Sequence, residues 1–95
     1  MGIPSYRIEY VYIGNPISIK NYQLETGSEH TLFYMLSKKD YGLYSVELTR
    51  NIRLSVESSS INDGIINVKI RNLEYELQFT TKAKYRELRI NEILD

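Results

Sequence analysis

The feature that most constrains this chain is a period of two. In Tyr6-Arg7-Ile8-Glu9-Tyr10-Val11-Tyr12 every even position is large and apolar, and Arg7 and Glu9 stand between them. Successive side chains of an extended strand point to opposite faces, so the pattern suits a half-buried strand. Tyr44, Val46 and Leu48 alternate in the same way. So do Ile52, Leu54 and Val56 with Arg53, Ser55 and Glu57, and Leu73, Tyr75, Leu77 and Phe79 with Glu74, Glu76 and Gln78. Between Ile66-Val68-Ile70 and Leu73-Tyr75-Leu77 the apolar parity changes. A two-residue turn at Arg71-Asn72 accounts for that, because Asn tolerates positive φ.

Turn signals divide the chain at strand-length intervals: Gly14-Asn15-Pro16, Thr26-Gly27-Ser28, Lys39-Asp40-Tyr41-Gly42, Ser58 to Gly64, and Arg71-Asn72. That spacing is characteristic of antiparallel β structure. One stretch reads two ways. As a helix, residues 28–40 have Ser28 as N-cap, Glu29 in the first turn, Leu32, Phe33, Met35 and Leu36 on one face, and Lys38 and Lys39 at the negative end. As a strand they are apolar on both faces, which fits a central strand of a barrel or sandwich.

The fold class expected is therefore mainly β, a small antiparallel meander, barrel or sandwich, or α+β with one helix at about residues 28–40. The alternative is a winged helix-turn-helix with helices at 28–40, 44–53 and 57–69 and a wing of Leu73–Phe79 with Tyr85–Ile90. Against it, Ser58-Ser59-Ser60, Asn62-Asp63-Gly64 and Ile65-Ile66-Asn67-Val68-Lys69-Ile70 are poor helix material and good turn-plus-strand material.

A chain of 95 residues forms one domain, 1–95. At 42% hydrophobic and 25% charged residues it has the composition of a folded globular protein. Twelve basic residues balance twelve acidic ones, so no overall field draws it to phosphate backbones or anionic lipid. With no Cys, disulfides, thiolate nucleophiles and Cys-ligated metal centres are excluded. No window approaches the roughly 18 apolar residues of a membrane span, and the N-terminus lacks a basic-then-apolar leader. We expect no membrane association and a cytoplasmic protein, acting in the host cytoplasm if viral.

The order Ile8-Glu9-Tyr10, Tyr22-Gln23-Leu24, Phe33-Tyr34-Met35-Leu36 and Val46-Glu47-Leu48-Thr49-Arg50 resembles the ligand-sensing WYL domain, a small Sm-like barrel, over about half the chain. Phe33 stands where that family has its namesake Trp, and Thr49 where it has an acidic residue before Arg50, so the chain is not assigned to it. The resemblance implies binding of a nucleotide or nucleic acid by Tyr34 and Arg50.

Catalytic machinery is sparse. His30 is the single His, so any triad or His-metal centre would hang on one residue. Glu74 and Glu76 share a strand face and suit a hard cation or an acid/base pair, but that pattern also describes a solvated strand face. Isolated glycines at turns make no phosphate loop. We expect no enzyme activity, no cofactor and no metal.

Nine tyrosines with no Trp are the unusual feature. Tyr6, Tyr10 and Tyr12 share a face, and tyrosine serves both a small core and a recognition surface. Lys82, Lys84, Arg86 and Arg89, with Tyr85 among them, are the best cationic group, read as a hairpin tip and strand. These seven residues form the expected binding set, brought together if the last strand closes against the first. The expected function is a non-catalytic interaction module of adaptor or inhibitor type. It would use a Tyr-rich sheet face or an edge strand to bind a protein partner or a second copy of itself. The alternative is nucleic-acid binding, by a barrel surface or a winged helix. Circular dichroism checks the class: a β-dominated spectrum is expected, and a helix-dominated one would promote the winged helix-turn-helix.

Overall fold

The computed structural model describes residues 5–37, 40–74 and 76–94. Lys38, Lys39 and Tyr75 of the patterns above lie outside the described residues. Among those described, the chain forms β1 (Ser5–Tyr12), β2 (Ile17–Ile19), β3 (Tyr22–Leu24), β4 (Glu29–Ser37), β5 (Asp40–Thr49), β6 (Ile52–Asn62), β7 (Ile65–Ile70), β8 (Glu76–Thr80) and α1 (Lys82–Leu94). Strands β1-β4-β5-β6-β7-β8 close in that order into an antiparallel barrel, and β2 with β3 forms a separate two-stranded sheet. The mainly β class is the one observed, and the helix is elsewhere than expected.

The described part of residues 28–40 is not a helix. Glu29–Ser37 is a central strand between β1 and β5. His30, Leu32 and Tyr34 are buried on the inner face, and Thr31, Phe33 and Met35 are half-buried on the outer one, so both faces are covered and alternation is lost. The Ser28 hydroxyl, read as a helix cap, lies 2.6 Å from the Glu25 carbonyl in a turn. The winged helix-turn-helix falls with it. Residues 44–53 lie in β5 and β6 with their connecting turn, 57–69 form the β6–β7 hairpin, and 85–90 belong to α1.

The turns follow side-chain tolerance of positive φ. Asp63 (φ 55°) and Gly64 (φ 77°) join β6 to β7 between the paired Asn62 and Ile65. The strand therefore continues through Ser58-Ser59-Ser60, where the sequence pattern predicts a turn. Lys20 (φ 49°) and Asn21 (φ 66°) join β2 to β3 in the same way. After β7, Leu73 N–H donates to the Ile70 carbonyl at 3.2 Å, with Asn72 at φ 71°. Pairing with β8 resumes only at Lys69–Glu76, so this connection is wider than the two residues expected. Gly42, read as part of a turn, sits inside β5 opposite Met35.

Three register shifts bend the wall. Phe33 faces Ser45 but Tyr34 faces Leu43, leaving Tyr44 as the extra residue. Leu48 and Glu57 occupy the corresponding positions in the β5–β6 and β6–β7 pairings. An extra residue bends its strand and increases the local twist, which a six-strand sheet needs in order to close. It also ejects Tyr44 from the alternating set, leaving it 37% exposed while Val46 is fully buried.

Inside the barrel, Leu32, Val46, Leu54, Ile66, Val68, Ile70, Leu77 and Phe79 form one core, joined by Ile19 and Leu24 from the β2–β3 hairpin. Closure is narrow. β1 pairs with β8 only at Val11–Thr80 and Tyr12–Phe79, although it pairs with β4 from Ser5 to Val11. Leu77 is completely buried. Leu77→Ala is expected to cost about 2–5 kcal/mol, read from the midpoint of urea unfolding. Tyr44→Ser at the bulge should stay within about 0.5 kcal/mol. An unchanged midpoint for Leu77→Ala would put this register in error.

Candidate functional site

The expected aromatic set divides. Tyr10 and Tyr12 are core residues, 8% and 3% exposed. The Tyr12 hydroxyl donates to the Asn15 carbonyl at 2.6 Å, and its ring packs edge-on against Phe79 at 5.7 Å. Neither ring is open to a partner. Tyr6 is 41% exposed, and its ring stacks on Tyr34 at 5.0 Å with 6° between the planes. Ile8, on the same face, is 37% exposed. The cause is topological: β1 meets β8 only at its C-terminal end, and among the described residues no strand lies against the second edge of Arg7 to Glu9.

The basic segment is a helix, not the strand expected. Thr81 caps it, its hydroxyl accepting from Lys84 N–H at 3.1 Å and its carbonyl from Tyr85 N–H at 2.9 Å. Lys, Ala, Arg, Glu and Leu then favour helix throughout. The signal missed in the sequence is this Thr directly before a run of helix formers. Helical spacing puts Lys82, Arg86 and Arg89 on one face and Lys84 on the opposite one.

Lys82 sits at the positive end of the helix dipole, where a cation is unfavourable. It is offset by Glu29 at 2.6 Å and Glu9 at 3.1 Å. These carboxylates, Glu29 first, raise its pKa above the ordinary lysine value. Lys82 thus ties α1 to β1 and β4. Arg86 lines a shallow groove with Val11, Gly27, Glu29, Lys82 and Tyr85, and the Arg89 guanidinium lies 6.0 Å from the Tyr85 ring centre. Gly27 has φ 93°, a conformation that favours glycine, and a Cβ there would stand 2.7 Å from the Tyr85 hydroxyl, so a larger residue would strain the backbone and push the tip of that ring aside. The first strand and the basic segment do meet, through Lys82, while Lys84 lies toward Gly64 of the β6–β7 turn.

His30 is buried, its Nδ1 3.2 Å from the Leu48 carbonyl and its Nε2 2.7 Å from the Ser28 hydroxyl. The Leu48 carbonyl can only accept, so Nδ1 carries a proton; the single Ser28 hydroxyl proton faces both the Glu25 carbonyl and Nε2 and can be given to only one of them. Burial lowers its pKa, with the Leu48 bond a smaller opposing effect. Glu74 and Glu76 are both exposed, one before β8 and one at its start. Among the described residues no group of three or more His, Asp or Glu is placed to hold a metal ion.

Tyr34, implicated by the WYL resemblance, is a core residue whose hydroxyl is 3.4 Å from that of Tyr10, long for such a bond. Burial, then Tyr10, raises its pKa well above the ordinary tyrosine value. Tyr34 faces Leu43; from there to Arg50, in the turn after β5, the strand travels roughly 20 Å, so the two do not share a site.

Two clefts lie on the outer wall. One, of about 420 Å³, is lined by Arg7, Glu9, Thr31, Phe33 and Glu47. Beside it Arg53 lies 4.1 Å over the Phe33 ring and bonds Glu47 at 3.2 Å. The other, of about 280 Å³, lies between β6, the end of β7 and the β2–β3 turn.

Comparison with protein-family models, with curated proteins and with solved structures finds no match in any of the three. No helix among the described residues is long and apolar enough to cross a membrane.

The lowered pKa of His30 gives a pH signature. The unfolded chain takes up the proton first, near the ordinary value of about 6.5, so this contribution to stability is present above that pH. It is lost as pH falls toward the lower folded value. Melting temperature should drop between pH 7.5 and pH 5 in the wild type and fall less in His30→Gln, measured by differential scanning calorimetry. Parallel curves would mean that His30 does not carry this dependence.

Proposed function

We propose that this protein is a non-catalytic binding module that engages a protein partner by strand addition along the open edge of β1. The observation that carries this reading is the mismatch in the pairing of β1, seven residues long against β4 and two long against β8. An unpaired edge offers backbone donors and acceptors to an added strand, and side chains on alternate positions supply specificity. Here those side chains are the exposed Ile8 and the Tyr6 ring on its Tyr34 platform. The adaptor or inhibitor role and action in the cytoplasm belong to the same proposal, and a second copy of the chain would use the edge in the same way.

Ile8→Lys places a charge on that edge, the device by which natural edge strands resist pairing. Wild-type protein should recover a partner from source-cell extract and Ile8→Lys should lose it, with melting temperature nearly unchanged. Sedimentation velocity reads self-association in the same pair of proteins. A recovered partner that binds Ile8→Lys with wild-type affinity overturns the proposal.

Nucleic-acid binding is the second reading, favoured by Arg86 and Arg89. Among the described residues neither has a carboxylate partner, and they share a helix face. On this reading a labelled oligonucleotide binds with affinity that falls steeply with salt. A variant with Lys82, Lys84, Arg86 and Arg89 changed to Ala abolishes that binding. Salt-independent or undetectable binding removes this reading.

A further inference from the structure

The barrel wall is split on the side away from β1. In the closed order, β6 lies three strands from β1 by either route. There β6 and β7 part company: Val56–Ile70 is their last pair, after which β6 continues toward Ile52 against β5 while β7 ends. One bond spans the gap, from Arg71 N–H to the Ser55 carbonyl at 2.9 Å. The cleft of about 280 Å³ opens at this split. Its floor is apolar, from Ile19, Leu54, Ile70 and Leu73. Its rim carries Lys20, Arg53 and Arg71, and among the described residues no carboxylate lines it.

Two cations from separate segments, Lys20 and Arg71, line one small opening, while the Arg53 guanidinium at its edge is turned to Phe33 and Glu47. Among the described residues Lys20 and Arg71 have no ion-pair partner, and Arg53 alone is neutralised, by Glu47. Lys20 and Asn72 sit in left-handed turns at φ 49° and 71°, which fix the two rim segments on either side of the gap. Positive charge over an apolar floor, with Ser55 and Asn72 as further polar groups, has the composition of a small-ligand site.

The geometry points to a binding site for a small phosphomonoester with an apolar body, its phosphate held by Lys20 and Arg71 and its body lying on Leu73 and the floor. Arginine meets phosphate with two parallel N–H bonds and lysine meets it as a point charge, so the pair supplies both direction and field. The cleft is too small for a duplex or a folded partner. This site is distinct from the β1 edge and does not depend on the reading given for it.

The test uses the intact ¹⁵N-labelled protein and three probes: phenyl phosphate, inorganic phosphate and phenol. Phenyl phosphate should give saturable amide shifts centred on Lys20, Ser55, Arg71 and Asn72. Inorganic phosphate should bind more weakly at the same residues, and phenol should produce no saturable shift there. Lys20→Asn with Arg71→Gln keeps a residue tolerant of the left-handed turn and the Arg71 backbone donor. Loss of charge-assisted bonds should weaken phenyl phosphate binding about tenfold or more. Arg86→Ala with Arg89→Ala should leave it unchanged. Non-saturating shifts, shifts spread evenly over the basic residues, or equal binding of phenyl phosphate and inorganic phosphate in the wild type would overturn the site whatever the variant does. Because Ile8→Lys leaves this cleft intact, failure here and failure of the edge-strand proposal are separately visible.

Discussion

The structure depends on a short seam. Val11–Thr80 and Tyr12–Phe79 are the pairs that turn a six-strand meander into a closed barrel. All four side chains are at most 3% exposed and two, Phe79 and Thr80, are fully buried, so the seam is also part of the core. Being so short, it leaves the first half of β1 paired with β4 on one edge and without a neighbouring strand, among the described residues, on the other. It also fixes the helix: Thr80 leads directly into the Thr81 cap, and Lys82 therefore emerges beside Glu9 and Glu29. Open edge, docked helix and sealed interior all follow from where these pairs lie.

Strands were legible wherever one face met the core and the other met water, as at Leu54 and Val56 or Leu77 and Phe79. They were illegible where both faces were covered. Residues 29–37 lost their alternation because Phe33 is itself packed under Arg53, and the same residues satisfied helix rules equally well. Bulges are a second blind spot. One extra residue opposite Phe33–Tyr34 sent Tyr44 outward, and no period-two count sees that. The third is length: alternation identifies the face of a strand but not how far its neighbour extends, so Ile8 read like Tyr10 and yet is exposed.

The expected binding set fared accordingly. Its tyrosines were assigned one role, but the barrel divides them into one surface ring and two core rings. Its cations were assigned one surface, but helical geometry turns Lys84 away from Lys82, Arg86 and Arg89. The basic residues that line one cleft, Lys20, Arg53 and Arg71, are scattered across the sequence and were invisible as a group. Only the Lys20-Asn21 and Arg71-Asn72 turns bring them together, each using the tolerance of Asn for positive φ.

The seam also has a consequence in time. Its partners are some seventy positions apart along the chain, whereas β4–β5, β6–β7 and β2–β3 join near neighbours. Loop-closure entropy favours the local hairpins first and charges the long connection last. A chain emerging from the ribosome therefore carries its hairpins before Thr80 exists to complete the ring. During that interval all of β1, not just its first half, presents an uncovered edge. Synthesis is thus the period of greatest exposure to wrong strand pairing, and it ends when the final strand arrives.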